Sequence, residues 1–170
     1  KGDLDNDLQT DLLLRNLSSG ENVLWLMNGV SRRMSVLVTP DPQSLDWQVV
    51  GVDDFSADHR NDLALWNQVS GAVEFWLLGG ATGSERQGAP VPLSGGALAP
   101  PWKLSATADF DLDGKPDLIW RNFDTQKIEI WTLSGTSHAG TLVPTPDQAV
   151  NANWEIVGAQ DWSGDGHTDF

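Results

Sequence analysis

Short apolar runs separated by turn residues recur along the chain, and none of them keeps a helical period. The first set is Leu12-Leu-Leu-Arg-Asn16, Leu63-Ala-Leu-Trp-Asn67 and Leu118-Ile-Trp-Arg-Asn122. Each is followed by a turn, at Ser19-Gly20, Ser70-Gly71 or Asp124-Thr125-Gln126. A second set follows the turns, at Val23–Met27, Val73–Leu78 and Ile128–Leu133. A looser strand is expected over 35–39, with weaker counterparts at 91–93 and 141–143. The last set opens on tryptophan, at Trp47–Gly51, Trp102–Ala106 and Trp154–Gly158. Runs of about five residues bounded by Gly, Asn, Asp and Ser predict strands. Four short strands in roughly 50 residues is the pattern of a propeller blade.

The unit repeats in register. Asp3–Asp11, Asp54–Asp62, Asp109–Asp117 and Asp161–Asp169 align without gaps, at periods of 51, 55 and 52 residues. Trp25, Trp76 and Trp131 each stand 22 residues after the first Asp of their segment. Trp47, Trp102 and Trp154 each stand 7 residues before the next one. All the length variation falls between the two Trp positions of a unit, as in Ser84–Pro101, which marks a surface connection. The reading is all-β: one β-propeller region over 1–170, with about three four-stranded blades and the start of a fourth. The repeats run over 3–53, 54–108 and 109–160, with a partial one over 161–170. A propeller needs four to eight blades, so these residues are expected to be part of a larger ring. Remaining blades or copies of the same chain would complete it, because unpaired sheet edges want a partner.

Each acidic segment reads Asp-x-(Asp/Ser)-x-Asp-x-x-x-Asp, and the four segments hold 14 of the 24 acidic residues. Side chains at positions 1, 3, 5 and 9 can offer oxygens, and the carbonyl at position 7 another. The third segment supplies Asp109, Asp111, Asp113 and Asp117, with the carbonyl of Lys115. The fourth supplies Asp161, Ser163, Asp165 and Asp169, with His167. The first supplies Asp3, Asp5, Asp7 and Asp11, with Gln9; the second supplies Asp54, Ser56, Asp58 and Asp62, with Arg60. Hard oxygen donors on a tight loop suit Ca²⁺, whereas Mg²⁺ demands a compact octahedron. Zinc is disfavoured, since Cys is absent and only His59, His138 and His167 are present. Packed carboxylates without a cation would repel one another. Gly114 and Gly166 occupy position 6, where a sharp turn needs a left-handed residue; Leu8 and His59 stand there in the first two loops. The first loop is therefore expected to turn differently or bind more weakly. The third site ranks strongest, then the fourth, the first and the second. An EF-hand also uses Asp-x-Asp-x-Asp-Gly, but it needs a Glu at position 12 and a following helix. Position 12 here is Leu14, Leu65 or Trp120, inside a strand-like run.

Charge narrows the partner. The 170 residues carry 24 acidic and 10 basic side chains, for a net charge of −14. That field repels a nucleic-acid backbone, so no nucleic-acid partner is expected. No apolar run approaches twenty residues, so no transmembrane segment is expected. The absence of Cys excludes disulfides and thiolate chemistry without fixing a compartment.

The run Ala108-Asp-Phe-Asp-Leu-Asp-Gly-Lys-Pro-Asp-Leu-Ile-Trp-Arg-Asn122 resembles the FG-GAP/VCBS repeat. That repeat builds the β-propeller of integrin α chains and of many bacterial surface and secreted proteins, lectins among them. The resemblance covers three units and the start of a fourth. It implies Ca²⁺ in the loop between the first and second strands of each blade, at Asp109, Asp111, Asp113 and Asp117 and their counterparts. Leu8 and His59 in place of Gly, and Ser56 and Ser163 in place of Asp, are the departures.

Among the tryptophans, Trp25, Trp76 and Trp131 are expected between blades as repeated core residues, and Trp47, Trp102 and Trp154 likewise. Trp66 takes the place of Arg15 and Arg121 on the face opposite Leu63 and Leu65, which marks it as a candidate ligand or partner contact. Trp162 replaces Leu4, Phe55 and Phe110 and is expected in the core. Catalysis finds no motif: no Gly-x-Ser-x-Gly, phosphate loop or dinucleotide fingerprint is present, and His138 is expected in a solvated turn. The expectation is a non-catalytic, calcium-binding structural and interaction module with a protein or glycan partner, extracellular, periplasmic or at the cell surface. The alternatives are a lectin with sugar sites between blades and the non-catalytic part of a larger secreted enzyme.

Overall fold

The computed structural model describes residues 2–39, 44–149 and 151–170, and these contain strands and turns but no helix. The first sheet comprises β1 (Leu12–Arg15), β2 (Asn22–Asn28) and β3 (Ser31–Leu37), in that order and antiparallel. The second is built from β4 (Trp47–Asp53), β5 (Asp62–Asn67), β6 (Val73–Trp76) and β9 (Val91–Pro92). Beside it, β7 (Leu78–Gly79) pairs with β8 (Glu85–Arg86). The third comprises β10 (Trp102–Ala108), β11 (Asp117–Asn122), β12 (Ile128–Ser134) and β13 (Ser137–Leu142). The all-β, four-strand pattern read from the sequence is therefore present, as successive antiparallel sheets. The described residues do not close a ring.

Matching residues build matching sheets. β4 pairs with β5 from Trp47↔Asn67 to Asp53↔Asp62, and β10 with β11 from Trp102↔Asn122 to Ala108↔Asp117. Both pairs carry a bulge at the same place, between Val49 and Gly51 and between Leu104 and Ala106. The turn after β1, β5 and β11 is opened by an Asn side chain. Oδ1 of Asn16, Asn67 and Asn122 accepts the N–H groups two and three residues on. Gly20 and Gly71 close those turns with positive φ, and Gln126 takes that conformation in the third.

The core lies between sheets rather than within one. Leu24 and Leu26 of the first sheet meet Leu63, Leu65, Trp76 and Leu78 of the second region. The opposite face of the second sheet, Ala64, Trp66, Val73 and Phe75, meets Leu104, Leu118, Trp120, Trp131 and Leu133. Ile119, Ile128 and Ile130 point away from that seam and pack with Phe110, Ile156 and Ala159. β5 and β11 are thus buried on both faces, which is why their sequences run apolar without alternation. The inner strands β4 and β10 lie side by side, and a Cβ on Gly51 would fall 2.3 Å from the Thr107 hydroxyl. That contact requires glycine there.

Several expectations change. Trp154–Gly158 is not a strand; residues 151–170 contain only an isolated bridge between Gln160 and Asp169. β4 and β10 are held by the strand that follows their acidic loop, and among the described residues none follows the loop after Trp154 to pair with it. Trp154 and Trp162 are each 62% exposed, so neither is core. Leu4 and Phe55 are buried because each packs on the next sheet along the chain, and Trp162 has no such sheet among the described residues. Trp76 and Trp131 are buried between sheets as expected, whereas Trp25 is half-buried under the guanidinium of Arg32 at 4.7 Å. Val73–Leu78 breaks after Trp76, where β6 hands over to β7, and the partner strand is split by Gln87–Pro90. Pro90 brings no N–H to a ladder.

Candidate metal centre

The four acidic segments fold alike, and their Asp side chains fold them. At position 1, the two oxygens of Asp3 accept the N–H groups of Asp7 (3.1 Å) and Leu8 (2.9 Å). Asp54 does the same for Asp58 and His59, Asp109 for Asp113 and Gly114, and Asp161 for Asp165 and Gly166. At position 5, Oδ1 of Asp7, Asp58, Asp113 and Asp165 accepts the N–H two residues on, at 2.9 Å in every case. These are Asx turns, with the side chain mimicking a backbone turn.

Position 9 ties the loop to the sheet. Oδ2 of Asp11, Asp62, Asp117 and Asp169 accepts the N–H of position 2, at 2.8–3.1 Å. Oδ1 of the first three accepts an N–H from the second strand position of the same unit: Met27 (2.9 Å), Leu78 (2.8 Å) and Leu133 (3.0 Å). Asp11, Asp62 and Asp117 are buried. Burial pushes the Asp62 carboxyl up to about 6 and raises that of Asp117, in both cases against the hydrogen bonds that favour the anion. Hydrogen bonds from the loop backbone, that of Gly166 first, hold Asp161 below its ordinary value. Asp113 is likewise lowered, by the ammonium of Lys115.

The turn places two residues per loop in the left-handed region, and sequence reasoning found one of them. Position 6 has φ of 69° at Leu8, 67° at His59, 84° at Gly114 and 88° at Gly166. Position 4 has 61° at Asn6, 61° at Ala57, 62° at Leu112 and 76° at Gly164. The first loop therefore turns as the third does, and the expectation of a different turn at Leu8 is corrected: the carboxylate of Asp3 fixes the turn regardless of the side chain it carries. At position 4 Gly164 and Asn6 are of residue types that favour this conformation, whereas Ala57 and Leu112 are not.

Carboxylates converge in two of the loops. Oxygens of Asp3, Asp5 and Asp11 lie within 4.8 Å of one another, as do those of Asp109, Asp111 and Asp117. In the second and fourth loops position 3 is Ser56 or Ser163, whose hydroxyl stands 3.5 Å from the first Asp of its loop. Asp7 and Asp113 stand apart from the converging sets and pair with cations, Asp7 with Arg33 (3.2 Å), which also holds Oδ2 of Asp5, and Asp113 with Lys115 (2.7 Å). Arg60 at position 7 donates to the carbonyl of Gly80, and Gln9 accepts from Gly29. Oδ1 of Asp5 is buried without a hydrogen-bond partner, and the Asp5 side chain is only 6% exposed. A buried carboxylate oxygen left bare, next to two more carboxylates, is costly until a cation or donor meets it. The donor set is all hard oxygen, which fits a divalent alkaline-earth ion. These clusters are thus able to hold a metal ion.

Neighbouring loops also touch. Asn61, at position 8 of the second loop, donates to the carbonyl of Asp3, and Thr168, at the same position of the fourth, donates to that of Asp109 (2.6 Å). Asn6 adds a bond to the carbonyl of His59 (2.9 Å). The third loop has Pro116 at position 8 and cannot donate. The loops border a cleft of about 770 Å³ lined by the inner strands β4 and β10 and by residues 157–161.

The remaining candidates lie elsewhere. Trp66 is 5% exposed and packs in the seam between the second and third sheets, so it presents no face to a ligand. It fills the place where Arg15 and Arg121 act as straps, donating to the carbonyls of Ser44 (3.1 Å) and Asn151 (2.8 Å). His138 is not merely solvated: it is half-buried and stacks on Trp131, with centroids 4.0 Å apart. No helix among the described residues is long and apolar enough to cross a membrane.

Comparison with curated proteins and with solved structures returns no match. Residues 109–170, which hold the third and fourth acidic loops, match the family model of the FG-GAP-like repeat, and the acidic loops and antiparallel sheets are consistent with that family.

Proposed function

We propose that this chain is a calcium-binding β-propeller-type module, non-catalytic and extracellular, periplasmic or surface-exposed, that serves as a structural and interaction domain for a protein or glycan partner. The observation that carries the calcium reading is Oδ1 of Asp5, buried and bare beside Asp3 and Asp11. Asp109, Asp111 and Asp117 repeat the arrangement in the third loop. Asp3, Asp5 and Asp11 would hold the first ion, and Asp109, Asp111 and Asp117 the third. Calcium suits an all-oxygen set on a flexible loop better than magnesium does. The ion would supply charge neutralisation that lets the position 9 carboxylate stay ionised where it bridges loop and sheet. The non-catalytic reading is supported by how the loop carboxylates are used: those of Asp3, Asp11, Asp109 and Asp117 hold backbone N–H groups that shape the loops.

Thermal unfolding in calcium and in chelator tests this reading. One filled site stabilises by about 2.7 kcal/mol at a hundredfold excess over Kd. For a chain of this length that corresponds to roughly 5–10 °C in Tm. A Tm unchanged by chelation removes calcium from the proposal. A glycan array probed with the calcium-loaded chain then separates a glycan partner from a protein one.

A further inference from the structure

The first acidic loop carries a cation of its own. Arg33 projects from β3, and its Nη2 donates to Oδ2 of Asp5 and to Oδ2 of Asp7 (3.2 Å). Asp7 has already committed Oδ1 to the N–H of Gln9 (2.9 Å). Its Oδ2 is therefore the position 5 oxygen left for an ion, and a guanidinium sits on it. Asp5 is held at Oδ2 while its Oδ1 stays bare and buried. The third loop meets the same need differently. There Lys115, two residues along, puts its ammonium on Oδ2 of Asp113 alone. The position equivalent to Arg33 in the third sheet is Ala139: Arg33 falls in the bulge between Met27↔Arg32 and Leu26↔Met34, and Ala139 in that between Leu133↔His138 and Thr132↔Gly140. Arg33 is thus a feature of the first loop and not of the repeat.

We propose that Arg33 is a displaceable counter-cation of the first loop: it holds Asp5 and Asp7 in the ion-free protein and leaves them when a divalent ion enters. The inference rests on the reading of the loops as calcium sites. The Arg33 side chain is 45% exposed, so water is available to receive it. An ion entering the loop must compete with a guanidinium that already neutralises part of the site. In the third loop the competitor is one flexible ammonium on one carboxylate. The first loop therefore binds calcium more weakly than the third, and depends on calcium less for its folding.

A calcium titration of the ¹⁵N-labelled chain tests this, because the amides of Leu8 and Gly114 report on the two loops separately. The variants are Arg33→Gln, which removes the charge and keeps a polar side chain, and Arg33→Ala. A variant without the guanidinium no longer has to break these partly exposed ion pairs before the ion enters, which is worth roughly two- to fivefold in affinity. The expected result is that much tighter binding at Leu8 in both variants, with the midpoint at Gly114 unchanged, and a lower Tm in chelator. Tightening in Arg33→Gln alone supports the proposal equally if Arg33→Ala fails to fold. Unchanged or weaker binding at Leu8, with Gly114 titrating normally, overturns the proposal and leaves the calcium reading standing. Absence of any shift at either amide overturns both.

Discussion

Asp117 and Leu133 lie sixteen residues apart and are joined by one hydrogen bond: the N–H of Leu133 donates to Oδ1 of Asp117 at 3.0 Å. The other oxygen accepts the N–H of Phe110 at 3.0 Å. One buried carboxylate thus fastens the loop before β11 to β12. Asp11 joins Leu4 to Met27 in the same way, and Asp62 joins Phe55 to Leu78. Asp117→Ala would strand two N–H groups, each costing about 1–3 kcal/mol when buried and unpaired. The expected loss is roughly 2–5 kcal/mol in urea unfolding in chelator. Asp111→Ala, which removes a cluster carboxylate but only one exposed N–H contact, should cost under about 1 kcal/mol there. Equal losses would mean that position 9 acts only as a metal ligand.

Leu8 makes a second prediction. Its φ of 69° is one that Gly114 adopts in the equivalent place, and its side chain is 94% exposed, so packing does not compensate. A left-handed Leu costs about 1–2 kcal/mol, which outweighs or balances the extra chain entropy that Gly brings to the unfolded state. Leu8→Gly should leave stability unchanged or raise it by up to about 1 kcal/mol, whereas Gly114→Leu should lower it by about 1–2 kcal/mol. Denaturant midpoints of the two variants check this. A destabilised Leu8→Gly would show that the side chain does something in the loop.

The second loop differs from the first and third in one carboxylate. Ser56 stands where Asp5 and Asp111 stand, and the carboxylate cluster is missing there. Ser56→Asp should restore a third carboxylate next to Asp54 and Asp62. Like charges brought together without an ion destabilise. The variant should therefore melt lower than the parent in chelator and higher in millimolar calcium, widening the gap between the two. A gap no wider than the parent's would mean that a third carboxylate does not make this loop a calcium site.

Much of this arrangement is legible in the sequence because the unit repeats. Fixed Trp and Asp spacings put the strands and loops in the right order, and the Asn that opens each hairpin recurs at 16, 67 and 122. What depends on the neighbouring sheet is not legible in one unit. Alternation along a strand assigns Trp66 to an open face, yet β5 is buried on both sides, so Trp66 is core. The same logic fails in reverse for Trp162 and Trp154, whose burial would need a sheet that the described residues do not contain. Arg33 escapes notice for another reason: it acts on residues 26 and 28 positions earlier and has no counterpart in the other units. The left-handed backbone at Ala57 and Leu112 is imposed by hydrogen bonds to the first Asp, not by the residues that adopt it.

Acid gives the last test, and its sign runs against habit. Carboxylates in folded proteins usually lie below their ordinary range and lose their contribution as pH falls. Asp62 is pushed up by burial, to about 6, and Asp117 is raised for the same reason. A carboxyl raised in the folded state binds its proton more tightly there than in the unfolded chain, so folding is favoured as pH falls through the raised value. Between pH 7 and about 5, in chelator, these two groups should raise the Tm. Asp113 and Asp161, which are lowered, act in the opposite direction only below their ordinary value of 3.8, outside that window. Calcium opposes this. An ion in the third loop favours the ionised form of Asp117, so protons compete with it, and the rise in Tm from pH 7 to 5 should be smaller than in chelator, Asp62 keeping its share because its loop lacks the carboxylate cluster. Melting curves at both pH values, with and without calcium, give four numbers. A Tm in chelator that falls toward pH 5 would contradict the burial of Asp62 and Asp117 as the controlling term. A Tm in calcium that rises as steeply as in chelator would separate Asp117 from any bound ion.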